Sequence, residues 1–294
     1  MPIGTGFHLS KILVVESLEA HERTTGEEIA NFINASVDAG RLGISAEYMT
    51  CDNAPEFSRL VHALASEVRR TGQVPLLHLE CHGGQSVGLE FRNGSILSWA
   101  ELSALLLELN IATRFNLVAI FSACYGAHFL SQIDSINPAP CYAMIAPTDS
   151  ALDFELVAGF RTFYSTLLSS NDAGVAVDAV SRMKLKEGDW FAHLAEFWYE
   201  RVVIGYVETH CTKTETKQRA LRMLRRLQSE GRHASLGTLK QDLIRLNRSQ
   251  LTGKFFDRYF MTEAIPENGQ RFVAMRKRIE HRIEALRRTG RFGV

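Results

Sequence analysis

Residues 74–80, Val-Pro-Leu-Leu-His-Leu-Glu, and residues 116–122, Asn-Leu-Val-Ala-Ile-Phe-Ser, decide how this chain is read. Both are short runs, apolar at nearly every position. Such runs suit strands covered on two faces, as in the middle of a parallel sheet. Working outward, Lys11–Glu16 (KILVVE), Gly43–Thr50 and Cys141–Ala146 (CYAMIA) read as three more strands. Helical periodicity fills the gaps. Thr24–Val37 carries Ile29, Phe32 and Ile33 on one side, and Asn53–Arg70 carries Leu60, Leu64 and Val68. Asn53 is placed to cap the second of these helices, and Pro55 suits its first turn. Asn93-Gly94 marks a hairpin within Gly88–Leu97, and Ser98 is placed to cap a leucine-rich helix reaching Leu109. Strands alternating with helices imply an α/β domain, its mostly parallel central sheet covered on both faces.

From Ser150 onward the pattern is helical. Leu152–Ser169 and Ala173–Leu185 read as helices. Trp190–His210 reads either as a buried helix or as a segment whose Val202–Val207 (VVIGYV) forms a last strand. Three amphipathic stretches follow. Ala220, Met223, Leu224 and Leu227 mark the first; Leu236, Leu239, Leu243 and Leu246 the second; Phe272, Met275, Ile279, Ile283 and Leu286 the third. The charge changes sign along the chain. Residues 1–204 hold 13 Lys and Arg against 24 Asp and Glu, whereas residues 205–294 hold 20 against 9. The expected division is therefore an α/β domain over 1–204 and a basic helical C-terminal region over 205–294.

The 294 residues are 46% hydrophobic and 22% charged, enough apolar content for a substantial core and too much for a disordered chain. No apolar run reaches the roughly 18–20 residues that cross a bilayer. Met1–Ser10 lacks the basic and apolar regions of a secretory signal, so the expected setting is cytoplasmic, with no membrane partner. Five cysteines, Cys51, Cys81, Cys124, Cys141 and Cys211, are scattered without a C-x-x-C pair. That spacing suits neither a disulfide framework nor a zinc site, and no metal or cofactor is expected.

Open parallel sheets bind ligands beyond the carboxyl ends of their strands. One central strand runs into His82-Gly83-Gly84 and the other into Ser122-Ala123-Cys124-Tyr125-Gly126. Were these strands neighbours, both turns would share one edge of the sheet. A thiol is a strong nucleophile only as thiolate, and an adjacent imidazole accepts its proton. Acyl transfer also needs donors for the developing oxyanion, and the amides of Gly83 and Cys124 are placed to serve. A helix starting at Cys124 would favour its thiolate further. Taken singly, His82 reads as a polar strand end and Cys124 as a small core residue. Taken together, at equivalent strand ends with glycines in place, they point to a catalytic pair. Cys81 should face the opposite side of its strand from His82, whereas His78 shares the His82 side but lies deeper. His128 is one helical turn beyond Cys124 and reads as an exposed helix residue.

A strand ending in His-Gly, followed 42 residues later by an apolar strand ending in Ala-Cys-x-Gly, resembles the caspase-like clan of cysteine peptidases. Caspases carry Gln-Ala-Cys-[Arg/Gln/Gly]-Gly with a histidine about 50 residues upstream. Here the run is Ser-Ala-Cys-Tyr-Gly, closer to the bacterial CHAT branch than to caspases proper. The resemblance spans roughly residues 10–190. It implies a caspase-like three-layer fold and a Cys124–His82 dyad needing no acidic third member. It also implies a thiol protease that cleaves a peptide or a dedicated protein partner under the control of a regulatory protein, in antiviral defence or regulated cell death. Clan members that cut after Arg or Lys line the first pocket with acids. Metacaspases have Asp two residues before the cysteine, where this chain has Ser122. Asp149, Asp153 and Glu155, just beyond the fifth strand, are the acidic alternatives, although Asp149 is also placed to cap the next helix. Two other functions stay open: an inactive caspase-like binding or scaffold module, and nucleic-acid binding through the basic tail. The tail's cations are spread over amphipathic helices without a recognised motif, which disfavours nucleic acid.

Overall fold

The computed structural model describes residues 8–37, 44–132 and 137–294. Met1–Phe7, and Gly43, which the sequence places at the start of the second strand, lie outside the described residues. The first compact unit comprises the described residues up to 132 together with 139–195, and the second is built from 196–294.

The first unit is α/β. Strands β1 (Lys11–Ser17), β2 (Ala46–Thr50), β3 (Pro75–Gly84), β6 (Val118–Ser122), β7 (Ala143–Pro147) and β8 (Trp190–Leu194) form one sheet in the order β2-β1-β3-β6-β7-β8. All neighbours run parallel except β8, which is antiparallel to β7. A short hairpin, β4 (Gly88–Glu90) and β5 (Ile96–Leu97), attaches to the end of β3, with Gly94 at φ +80° in its turn. Helices α1 (Thr25–Val37) and α4 (Asp153–Ser170) pack together. So do α2 (Ala54–Thr71) and α3 (Trp99–Ala112), while α5 (Ala173–Ser181) lies against α4 and β8. Right-handed crossovers put α1 on one face of the sheet and α2 and α3 on the other.

Local chemistry explains these elements. The Asn53 side chain accepts the Glu56 amide at 2.9 Å at the start of α2, and Gly72 ends that helix at φ +72°. Ser98 and Glu101 form a reciprocal capping box on α3. The buried face of α2 is Phe57, Val61, Leu64, Ala65 and Val68. Every residue of β6 and β7 is buried, as expected for strands covered on two sides.

The segment Trp190–His210 follows the buried-helix reading over most of its length, preceded by an edge strand that neither reading contained. Its first five residues are the edge strand β8, and Ala195–His210 is helix α6. Val202–Val207 is thus helical, and a domain boundary at 204/205 would fall inside α6. The valines and Ile204 suit a strand by propensity. In α6, Val203, Ile204 and Val207 lie on one buried side, so burial outweighs β-propensity.

The second unit is helical: α6, α7 (Lys213–Ser229), α8 (Leu236–Ser249), α9 (Phe255–Tyr259), α10 (Glu267–Arg271) and α11 (Val273–Arg288). Ala220 of α7 meets Leu239 and Leu243 of α8, with Leu224, Leu227 and Leu236 packed around them. An aromatic cluster joins Tyr199, Phe256, Tyr259, Phe260 and Phe272. Met275, Ile279 and Ile283 form the buried stripe of α11. Among the described residues no helix is long and apolar enough to cross a membrane.

One helix–strand contact in the first unit leaves no room for a methyl group. A Cβ at Gly159 of α4 would lie 2.2 Å from Trp190 Cζ2, and Trp190 is 5% exposed. Gly159→Ala should therefore destabilise the protein by about 1–3 kcal/mol through overpacking. Trp190→Phe in the same chain should recover part of that loss. Urea denaturation of the wild type and the two variants checks both statements.

Candidate functional site

Four consecutive parallel strands, β1, β3, β6 and β7, end at one edge of the sheet, and each hands a polar residue to that edge. Glu22 follows β1, His82 lies at the end of β3, Cys124 follows β6 and Asp149 follows β7. Strand order reverses between β1 and β3, so this edge is also a topological switch point.

The turns carrying His82 and Cys124 touch. A Cβ at Gly83 would lie 2.1 Å from the Cys124 carbonyl oxygen and 3.1 Å from Ala123 Cβ, so only glycine allows the approach. β3 pairs with β6 up to Glu80↔Ser122, then swings away to pair antiparallel with β4 from His82 to Gly84. That swing carries His82 out of the core, leaving its side chain 49% exposed.

Cys124 sits in a tight turn. The Gly126 amide donates to Ala123 O at 3.1 Å, and Tyr125 holds φ +59°, a left-handed conformation that costs a non-glycine residue on the order of 1 kcal/mol. The Tyr125 amide donates to Asp149 O at 3.0 Å, which binds the turn to the segment after β7. Gly126 is required by packing, since a Cβ there would lie 2.9 Å from Ala146 Cβ and 3.1 Å from Phe121 Cβ. The expected helix after Cys124 is a seven-residue 3-10 segment, Gly126–Gln132. His128 lies on it, half-buried, with its ring 5.9 Å from that of Tyr125. The Cys124 thiol is partly exposed and lies 3.8 Å from Ala151 O.

The sequence reading missed Glu22. Its Oε2 lies 3.1 Å from His82 Nε2 and accepts the Glu19 amide at 2.7 Å. Burial works to raise the Glu22 pKa, but the Glu19 amide and the His82 ring outweigh it and hold the carboxyl below its ordinary value. With Nε2 engaged by Glu22, Nδ1 is the ring nitrogen left for a second partner. The available signal was positional. Glu22 follows the strand that pairs with β3, and that adjacency is absent from the linear pattern.

The residues proposed to bind substrate separate. Ser122 is 3% exposed, and its hydroxyl has no partner among the described residues. Lying within β6, it is buried, whereas the sequence reading placed it in a substrate pocket. Asp149 does not cap α4. Its carboxylate accepts the Ser150 amide at 2.8 Å and the Tyr125 hydroxyl, whose pKa its charge raises. The N-cap position is Leu152, and Glu155, in the first turn of α4, accepts the amides of Leu152 at 3.1 Å and Lys186 at 2.6 Å. Asp153 is exposed and already paired with Arg23 at 3.2 Å. Glu187 receives the Ser150 hydroxyl at 2.5 Å, and Gly188, at φ +69°, packs on Asp149 and Thr148. Asp149 and Glu187 thus place two carboxylates within electrostatic reach of Tyr125, the residue after Cys124. Among the described residues no group of three His, Cys, Asp or Glu side chains is placed to hold a metal ion. No protein-family model matches this chain, and no curated protein does.

The other four cysteines are buried. Burial raises all their pKa values, to about 11 for Cys51 and Cys211, and upward also for Cys81 and Cys141. Iodoacetamide at neutral pH should consequently modify Cys124 in the folded protein and reach the other four only after denaturation. Peptide mass mapping checks this, and equal labelling of Cys51 or Cys211 without denaturant would contradict it.

Proposed function

We propose that the first unit is a cysteine peptidase of the caspase-like clan, closest to its CHAT branch, with Cys124 as nucleophile and His82 as general base. The observation that carries this reading is the contact of Gly83 with the Cys124 backbone. It brings the two strand-end turns together, while Glu22 holds one nitrogen of the His82 ring.

The chemistry follows from that arrangement. His82 Nδ1 takes the proton of the Cys124 thiol, and the thiolate attacks the scissile carbonyl carbon. The resulting oxyanion is held by the backbone amides of Gly83 and Cys124. Collapse of the tetrahedral intermediate breaks the C–N bond, and His82 returns its proton to the leaving amine. A water molecule deprotonated by His82 then hydrolyses the thioester and restores the thiol. Glu22 stabilises the imidazolium between these steps, a function the clan resemblance alone does not supply. Asp149 and Glu187 favour a basic side chain in the substrate next to the cut bond. The wider setting, a regulated protease acting on a dedicated protein partner in a defence or cell-death pathway, rests on the clan resemblance alone.

The basic second unit gives less support to a nucleic-acid reading. Several of its arginines are tied to carboxylates of the same unit: Arg278 and Arg282 to Glu200 at 2.9 and 2.6 Å, Arg226 to Glu230, and Arg287 to Glu284.

A fluorogenic peptide library with Lys or Arg at the cleavage position tests the proposal. Cys124→Ala should abolish turnover with the fold intact. His82→Ala should lower kcat/KM by about 10²–10⁴-fold, the usual value of general acid–base assistance. Glu22→Gln should lower it by about tenfold, because the imidazolium then loses the carboxylate that faces its Nε2. Turnover by Cys124→Ala equal to that of wild type would refute the assignment.

A further inference from the structure

Behind His82, on the same face of β3, lies a chain of buried polar side chains that the peptidase chemistry does not use. Strand alternation puts His78, Glu80 and His82 on one side, with Glu80 roughly 6–7 Å behind His82. His78 is fully buried and Glu80 is 2% exposed. Tyr164 Oη lies 2.8 Å from His78 Nδ1, His78 Nε2 lies 2.9 Å from Glu80 Oε1, and the Thr25 hydroxyl donates to Glu80 Oε2 at 2.7 Å. The Glu80 carboxylate only accepts, so His78 Nε2 carries a proton and donates to it. Burial raises the Tyr164 pKa well above its ordinary value, so its hydroxyl keeps a proton for His78 Nδ1 to accept. Every bond in the chain then points at the Glu80 carboxylate.

A second buried carboxylate lies beside it. Glu16 is 4% exposed and accepts the Gly26 amide at 2.8 Å and the Tyr48 hydroxyl at 2.9 Å. Both acids sit under the first turn of α1, whose positive dipole end suits them. A Cβ at Gly26 would lie 2.9 Å from Glu16 Oε2 and 3.0 Å from Glu80 Cγ, so glycine is what lets the helix descend onto them. Burying this many polar groups stabilises no better than apolar residues of similar size would. Their value lies elsewhere, in where they hold the start of α1.

Thr25 is the first residue of α1 and ends the loop that carries Glu22. The loop has two anchors. Arg23 pairs with Glu28 at 2.6 Å and Asp153 at 3.2 Å, but Arg23 and Asp153 are solvent-exposed, and exposed pairs hold a loop weakly. The Thr25–Glu80 bond is buried and made to a carboxylate, which makes it the stronger anchor. Within the loop, the Thr25 amide donates to Arg23 O at 2.9 Å and the Glu22 amide to Glu19 O at 3.0 Å, so little slack separates Thr25 from Glu22.

Resting on the peptidase reading, we propose that Glu80 and Thr25 are positioning residues that act through the β1–α1 loop to hold Glu22 against His82, and thereby set the thiolate fraction of Cys124. The readout is the pH dependence of Cys124 alkylation by iodoacetamide, followed by mass spectrometry on the full-length protein. Glu22→Gln and Thr25→Val should each raise the alkylation midpoint by about one pH unit, which lowers the rate at neutral pH by about tenfold. Thr25→Ser, which restores the hydroxyl, should return it to the wild-type value. The Glu22→Gln, Thr25→Val double variant should shift no further than either single variant, because both changes remove one contact. Glu80→Gln should behave as Thr25→Val does; if it does not fold, Thr25→Val, an isosteric change, carries the test. A folded Thr25→Val with the wild-type midpoint, beside a shifted Glu22→Gln, would overturn the positioning role and leave the dyad standing. A wild-type midpoint that His82→Ala does not move would overturn the dyad and the positioning role together.

Discussion

The parallel register of β3 against β6, in which Leu76 to Glu80 face Val118 to Ser122, is the constraint on which the candidate site depends. Two apolar strands buried on both faces have one stable place, the middle of the sheet, and pairing them there aligns their carboxyl ends. Once aligned, any side chain just past either strand is delivered to the same edge. The register also decides what leaves the core. β3 parts from β6 after Glu80, so His78 and Glu80 are sealed inside while His82 emerges. One strand therefore supplies both the exposed histidine and the buried carboxylate two positions behind it.

Close approach at this edge is achieved by removing side chains. Gly83 lies on the Cys124 carbonyl, Gly126 between Phe121 and Ala146, Gly188 on Asp149, and Gly26 on the two buried glutamates. Each is a place where a methyl group would force apart segments that must touch. Tyr125 is the contrasting case. It adopts φ +59° without being glycine, and its amide and hydroxyl both reach Asp149. Strain held by two such bonds is the pattern found where a turn must present a neighbouring side chain in one orientation.

The helical second unit is organised by different forces. Its helices carry narrow apolar stripes under dense charge, and the charge is partly neutralised within the unit. Glu200 is the clearest case, lying between two arginines of α11 that hold its carboxyl below the ordinary value against the opposing effect of burial. A net basic composition therefore overstates the free positive surface, because arginines already bonded to carboxylates are less available to an external anion.

The sequence by itself determined the α/β class, the strands at the centre of the sheet, the caps Asn53 and Ser98, and the pairing of His82 with Cys124 as a hypothesis. These are local properties: an apolar run, a capping residue, a glycine beside a reactive side chain. The edge strand Trp190–Leu194 was not legible, and helix Ala195–His210 was only one of two readings, because their mixed apolar and β-branched residues suit either state until burial chooses. Nor were Glu22 beside His82, Leu152 in place of Asp149 at the N-cap of α4, or Ser122 turned inward. Each depends on which strand lies next to which and where a strand leaves its neighbour. Pairing order is set by packing over long sequence separations, and linear spacing holds no record of it.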